Sequence, residues 1–451
     1  MDRKLYACAV WLLWTLTVSA VPSEGRQTDV WRQHTQRGVA AYQKGDFASA
    51  ETEMAAALRE AERSGAQDER LATSLSNLGE LYRAQGRHAD AEPLHRRALA
   101  ILETTLGPEH PAVARSLNNL ALLFDSQQRW EQAEPLYLRA IRIKEKAFGA
   151  NHIEVSRTRK NLAALYRAQG RYAEAEPLYR QALSVEIDAL GPDDPAVAES
   201  LTNLASIHSN RGDYADAEPL YRRALAIDEQ AFGSDHLRVA ANLSNLADAY
   251  RSQDRHAEAE PLYLRALAIR EKQLGEENPL VAGLLNNTGL TYQAQGRFQE
   301  AEAAYLRALR IKERILPPDH PLIAVTLSNL ADLYMEQEKV GEAETLLNRA
   351  LAIREAFSGS DRLLAAITLD NLARLYHKQN RLAETESAYR RALAIRERVL
   401  GPEHPQVAAS LVSLAQFYER ENNVAEAAAL YQRVIAIHRM QEQSSPADRP
   451  Q

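Results

Sequence analysis

Two residue types recur along this chain at a spacing that could carry chemistry. Asparagine opens the tripeptide Asn-Leu-Ala, or a close variant, at Asn77, Asn119, Asn161, Asn203, Asn245, Asn287, Asn329 and Asn371, always 42 residues apart; serine takes the place at Ser413. A carboxamide carries a donor and an acceptor together, so a row of them can pair with the backbone of an extended peptide without reading its side chains. The same amides can instead bond neighbouring helices, or serve both ends. Arg115 and Arg157, in two successive copies, are candidate receivers of an acidic ligand residue. Histidine recurs at His110, His152, His236, His320 and His404. Lying in separate copies, on the order of 10 Å apart, these cannot share an ion whose bonds are about 2 Å long. They read as residues at helix starts.

Catalytic machinery is not expected. The sequence has no phosphate-cradling glycine loop and no His-Glu-x-x-His, so no catalytic, cofactor-binding or metal-ligating residue is assigned. The chain is 45% hydrophobic and 25% charged, enough to bury a core. Its net charge of −7 is small, with both signs interleaved. Nucleic acid demands a basic stripe, and none is visible.

The N-terminus has its own character. Asp2, Arg3 and Lys4 precede an apolar run from Leu5 to Val18, and Val18-Ser19-Ala20 then places small residues before a cut. This predicts a cleaved signal peptide over residues 1–20 and an exported, periplasmic or secreted protein. The alternative is an uncleaved anchor. The single cysteine, Cys8, lies inside this segment, so the mature chain would form no disulfide.

The elements that must position the asparagines follow from hydrophobic spacing. Val113, Leu117, Leu120, Ala121 and Phe124 make one apolar helical face, and Ala133, Leu136, Tyr137, Ala140 and Ile141 make a second. Gly-Arg-Tyr at Gly170, or its equivalents, turns the chain between them. Gly107-Pro108-Glu109-His110-Pro111 stops one pair and starts the next. A small residue (Gly79, Ala121, Ala163, Ala205, Ala247) is followed three places on by an aromatic, with His208 the exception. Tyr137, Tyr179, Tyr221, Tyr263 and Tyr305 occupy the second helix, so the tyrosines read as packing residues. The asparagine lies about 100° from Leu120 around its helix, off the apolar centre.

This order of small residue, aromatic, glycine turn, alanine and tyrosine resembles the tetratricopeptide repeat. The 42-residue length, Asn-Leu-Ala and Gly-Pro-Glu-His-Pro resemble the long variant of kinesin light chains and their bacterial relatives. An earlier, divergent copy carries Gly38, Gly45, Phe47 and Ala50. The resemblance implies an all-α, α-α superhelical solenoid of about ten helix pairs over residues 28–440, after a linker at 21–27 and before a polar tail at 441–451. It also implies a non-enzymatic scaffold that binds a protein or peptide in a groove lined by the first helices. Asn119, Asn161, Asn203, Asn245, Asn287, Asn329 and Asn371 would then form a ladder along its floor. Glu199, Asp248 and Asp332 would make the middle acidic, and Arg374, Lys378 and Arg420 the end basic. No nucleic acid and no membrane insertion after cleavage are expected. The competing expectation is a self-assembling scaffold in which the ladder is structural. Val434, Ile435 and Ile437 would leave an apolar C-terminal end for self-association.

Overall fold

The structure is a computed structural model, and it describes residues 26–63, 68–356 and 361–444. The signal-like segment, Cys8 and residues 445–451 lie outside the described residues. Among the described residues there are twenty α-helices and no strand. The chain divides into two compact units, residues 1–242 and 243–451.

The first unit contains α1 (Arg26–Gln43), α2 (Phe47–Arg63), α3 (Glu69–Ala84), α4 (His88–Leu106), α5 (Pro111–Ser126), α6 (Trp130–Phe148), α7 (Ile153–Ala168), α8 (Tyr172–Leu190), α9 (Pro195–Arg211) and α10 (Tyr214–Phe232). Helix α11 (Leu237–Arg251) carries the boundary. The second unit continues with α12 (His256–Leu274), α13 (Pro279–Ala294), α14 (Phe298–Ile315), α15 (Pro321–Glu336), α16 (Val340–Glu355), α17 (Asp361–Lys378), α18 (Leu382–Leu400), α19 (Pro405–Arg420) and α20 (Val424–Ser444). Within each unit an odd helix packs on the even helix after it, and that even helix packs on the next odd one. Consecutive odd helices from α1 to α9, and from α13 to α17, also touch. The expected all-α stack of helix pairs is what forms.

Local chemistry sets the element ends. The imidazole Nδ1 of His110 accepts the Ala112 N–H at 3.2 Å, and His152, His320 and His404 do the same for Glu154, Leu322 and Gln406. Asp194 and Asn278 supply a carboxylate or carboxamide oxygen at that place, at 2.8 and 2.9 Å. Each satisfies one N–H that the first helical turn leaves open. The linker histidines are therefore helix caps. In the turns within pairs the chain needs a left-handed residue. Gly86, Gly170 and Gly296 provide it, but Gln128 and Glu338 adopt φ of 60° as well.

Packing follows the small-against-aromatic pattern. Ala121, Ala163 and Ala205 are fully buried, as are Tyr137, Tyr179 and Tyr305. The fit is tightest where glycine replaces alanine: a Cβ on Gly289 would stand 2.6 Å from the Tyr305 ring. At the matching place in α3 and α4, Gly79 faces His95, whose ring is wholly buried with neither nitrogen hydrogen-bonded to a partner. Burial pushes the His95 imidazole down to about 4, with Glu80 opposing and Arg83 assisting. At the C-terminal end the expectation needs correction. Val434 and Ile437 are buried against Leu393, Val407, Leu411 and Phe417, and only Ile435 of the three is exposed, by 50%. The last helix also runs on to Ser444, into the segment read as tail.

Two outcomes test this packing. Ala205→Leu should overfill the α9–α10 pair and destabilise by roughly 1–3 kcal/mol in a urea melt; an unchanged melt would contradict the pairing. His95 is held neutral when folded, so between pH 6.5 and about 4 the unfolded chain binds a proton that the folded chain refuses. Stability should therefore fall as pH drops through that window. The slope should flatten in His95→Tyr, which restores the residue used opposite Gly289.

Candidate peptide-binding face

Within each unit the odd helices carry the asparagine row, and where consecutive odd helices touch, the asparagines lie near that contact. Asn119, Asn161 and Asn371 are buried, while Asn203, Asn245, Asn287 and Asn329 are half-buried. Four of these amides bond the preceding odd helix. Asn161 Nδ2 donates to Asn118 Oδ1 at 2.8 Å and Asn329 Nδ2 to Asn286 Oδ1 at 3.1 Å. Asn287 Nδ2 donates to Asp248 Oδ1 at 3.1 Å and Asn371 Nδ2 to Asp332 Oδ1 at 2.9 Å. The acceptor stands either just before the previous repeat's asparagine or three places after it. The ladder thus ties repeats together at these positions. Asn203, Asn245, Asn287 and Asn329 also keep part of their surface open to solvent.

The two candidate arginines differ in circumstance. Arg157 pairs with Glu154, whose other oxygen takes Lys144 Nζ at 3.2 Å. Arg115 is exposed and beside a cavity of about 20 Å³ between α3 and α5. Asn77, Asn119, Ser116 and Leu102 also line this space, which holds about one water. A larger groove of about 410 Å³ opens between α13 and α15, lined by Leu290, Gln293, Ala294, Asn329, Asp332 and Glu336. Both spaces lie between consecutive odd helices and include a ladder asparagine.

Charges near the turns are already matched. Arg171 pairs with Glu134 of the preceding even helix at 2.8 Å and lies 4.0 Å over the Tyr166 ring. Arg129 does the same with Glu92 and Phe124, Arg297 with Glu260 and Tyr292, and Arg381 with Glu344 and Tyr376.

One series escaped the reading of the sequence. Lys144, Glu186, Asp228, Arg270, Lys312, Arg354 and Arg396 recur at the 42-residue interval on even helices, and all are buried. Each meets the next odd helix. The cations bind a carbonyl of its first turn: Lys144 with Glu154, Arg270 with Leu280 and Lys312 with Leu322, all at 3.1 Å. Lys312 also reaches Thr326 Oγ1 at 2.7 Å, Arg354 reaches Thr368, and Arg396 reaches Ser410 at 2.5 Å. The two acids recruit cations, Glu186 from Lys160 at 2.9 Å and Asp228 from Arg238 at 3.0 Å. Leu102 holds this place in α4, and there the Ser116 hydroxyl is buried without a partner. The periodic charge was the available signal, obscured because its sign changes at Glu186 and Asp228.

Comparison with known proteins gives the same pattern. The sequence matches the Tetratricopeptide repeat family in nine overlapping stretches from residue 33 to residue 440. Comparison with curated proteins finds no match. Among solved structures, RapI in its apo form is similar with a TM-score of 0.58 and 16% identity, over 83% of this chain and 99% of that one. The apo quorum sensor NprR from B. thuringiensis gives 0.56 and 13%, over 81% and 97%. The nearly identical TPR-like repeats of a Podosopora anserina kinesin light chain-type protein are 28% identical, with a TM-score of 0.41, over 45% and 96%.

Among the described residues Lys312 has no carboxylate partner to offset its burial, which pushes its ammonium down to about 8 from 10.5. Between those values the unfolded chain binds the extra proton, so the folded state gains stability as pH rises from about 8 to 10.5. Replacing both partners, Lys312→Met with Thr326→Val, should be near neutral at pH 7 and should abolish this alkaline gain in urea unfolding. Thr326→Val alone should destabilise.

Proposed function

Because the chain belongs to the tetratricopeptide repeat family, we propose that it is a non-enzymatic scaffold that lays an extended segment or helix of a partner protein along its odd helices. The observation that carries this reading is the place of the two spaces described above: both lie between consecutive odd helices and each is lined by at least one ladder asparagine. The turn side has Arg–Glu pairs stacked on aromatic rings, so its charges are matched within the chain. On the odd side the exposed groups change from repeat to repeat. Arg115 gives way to Glu336 and then to Arg374 and Lys378, a sequence of charges that would select among ligands.

The ladder serves two ends in this scheme. Asn161 and Asn371 mainly join repeats, since they are buried and bonded, whereas Asn203 and Asn245 offer amide groups to a peptide backbone. The signal-like residues 1–20 support export, which would make the partner an exported protein. A self-assembling scaffold is the second reading. It draws support from the four amides bonded between repeats and from exposed Ile435.

Capture from native extract separates these readings. Asn203→Ala with Asn245→Ala should lose the retained partner while melting like wild type. Asn161→Ala with Asn371→Ala should instead lower stability, by about 1 kcal/mol or more per site, because each leaves a neighbouring acceptor without its donor. Retention of every partner by the first variant, together with light scattering that grows with concentration, would favour self-assembly.

A further inference from the structure

Resting on the scaffold reading above, we propose that the groove between α13 and α15 seats a basic side chain, lysine or arginine, of the bound segment. Its walls divide by chemistry. Leu290 and Ala294 supply apolar surface, and Asp332 and Glu336 stand one helical turn apart on α15. A long basic side chain lays its methylenes on apolar surface and keeps its charge at a polar end, which suits this arrangement. The space, about 410 Å³, is larger than one such side chain fills.

Charge selects the occupant. Asp332 accepts one neutral donor, Asn371 Nδ2, and Glu336 accepts another, Gln293 Nε2 at 2.8 Å. Neither carboxylate forms an ion pair among the described residues, while nearby carboxylates do: Glu302 with Lys339 at 3.1 Å and Glu344 with Arg381 at 2.7 Å. The nearest candidate, Arg374, donates instead to Asn371 Oδ1 at 2.6 Å. Burial raises the Asp332 carboxyl, Arg374 and Arg354 oppose this from a distance, and Glu336 adds to it. An arriving ammonium or guanidinium would supply the missing charge. An acidic residue would be repelled, and an apolar one would leave both carboxylates desolvated without a partner.

The probe is a phage-displayed library of random dodecapeptides, panned on the full chain and on the isosteric variant Asp332→Asn/Glu336→Gln. Wild type should enrich peptides with lysine or arginine at one fixed place. Changing that residue to norleucine, or using the variant, should each weaken binding at least about tenfold, with little further loss when combined. Peptides whose binding is lost in Asn203→Ala/Asn245→Ala but which show no basic preference would overturn this inference and leave the scaffold reading standing. Peptides insensitive to every odd-helix variant, or no enrichment at all, would overturn both.

Discussion

A charge buried near the end of each even helix from α6 to α18 governs the rest of the architecture. Lys312 lies where water cannot solvate it, so its ammonium must find the Leu322 carbonyl ten residues on and Thr326 fourteen on. Arg354 with Leu364 and Thr368, and Glu186 with Ser200, repeat those distances along the chain. An isolated buried charge costs several kcal/mol, and a linker one residue longer would carry the partner groups out of reach. The unbroken 42-residue interval is therefore a requirement of electrostatics as well as of apolar packing. The histidine, aspartate or asparagine caps fix the same geometry from the other side, because they set where the next helix begins.

Much of the fold was legible because its causes are local and periodic. Gly107 and Pro111 mark helix ends by backbone preference, and Ala121 beside Tyr137 needs only helical spacing to be read as a contact. His110 and His320 were readable as starts for the same reason. What was not legible depends on distances between repeats. The angular place of Asn161 puts it at the border of the apolar face, yet spacing does not say that Asn118 stands 2.8 Å away. Arg157 looked equivalent to Arg115 until Glu154, on its own helix, was seen to hold it. Val434 and Ile437 looked like an open end because the side chains that cover them come from α18 and α19. The mixed signs at Lys144, Glu186 and Asp228 resemble ordinary surface charge.

The two sides of the stack differ in what they leave available. On the turn side Arg129, Arg171, Arg297 and Arg381 each have a carboxylate and a ring, a closed set that joins repeats. On the odd side the bonding is partial: amides join some neighbours, while Arg115, Asp332 and Glu336 form no ion pair among the described residues. Rigidity and recognition thus draw on different faces of the same helices. The orphaned Ser116 hydroxyl beside Leu102 shows the effect of interrupting the buried series, since an apolar residue there leaves a small void and an unused polar group.

The signs of the buried charges also make the repeats unequal as building blocks. The segments containing Lys312 and Arg354 pass on the same demand, a cation seeking a carbonyl and a hydroxyl. Either could be copied beside the other without creating an unmatched ion. The segment with Glu186 carries its own cation, Lys160, on the first helix of the same pair, whereas the one with Asp228 depends on Arg238 in the repeat after it. Copying or moving the Asp228 segment without Arg238 would strand a carboxylate in a dry interface. Array growth by internal duplication is therefore permitted at the Lys312 and Arg354 repeats and resisted at Asp228, which is keyed to its own neighbour.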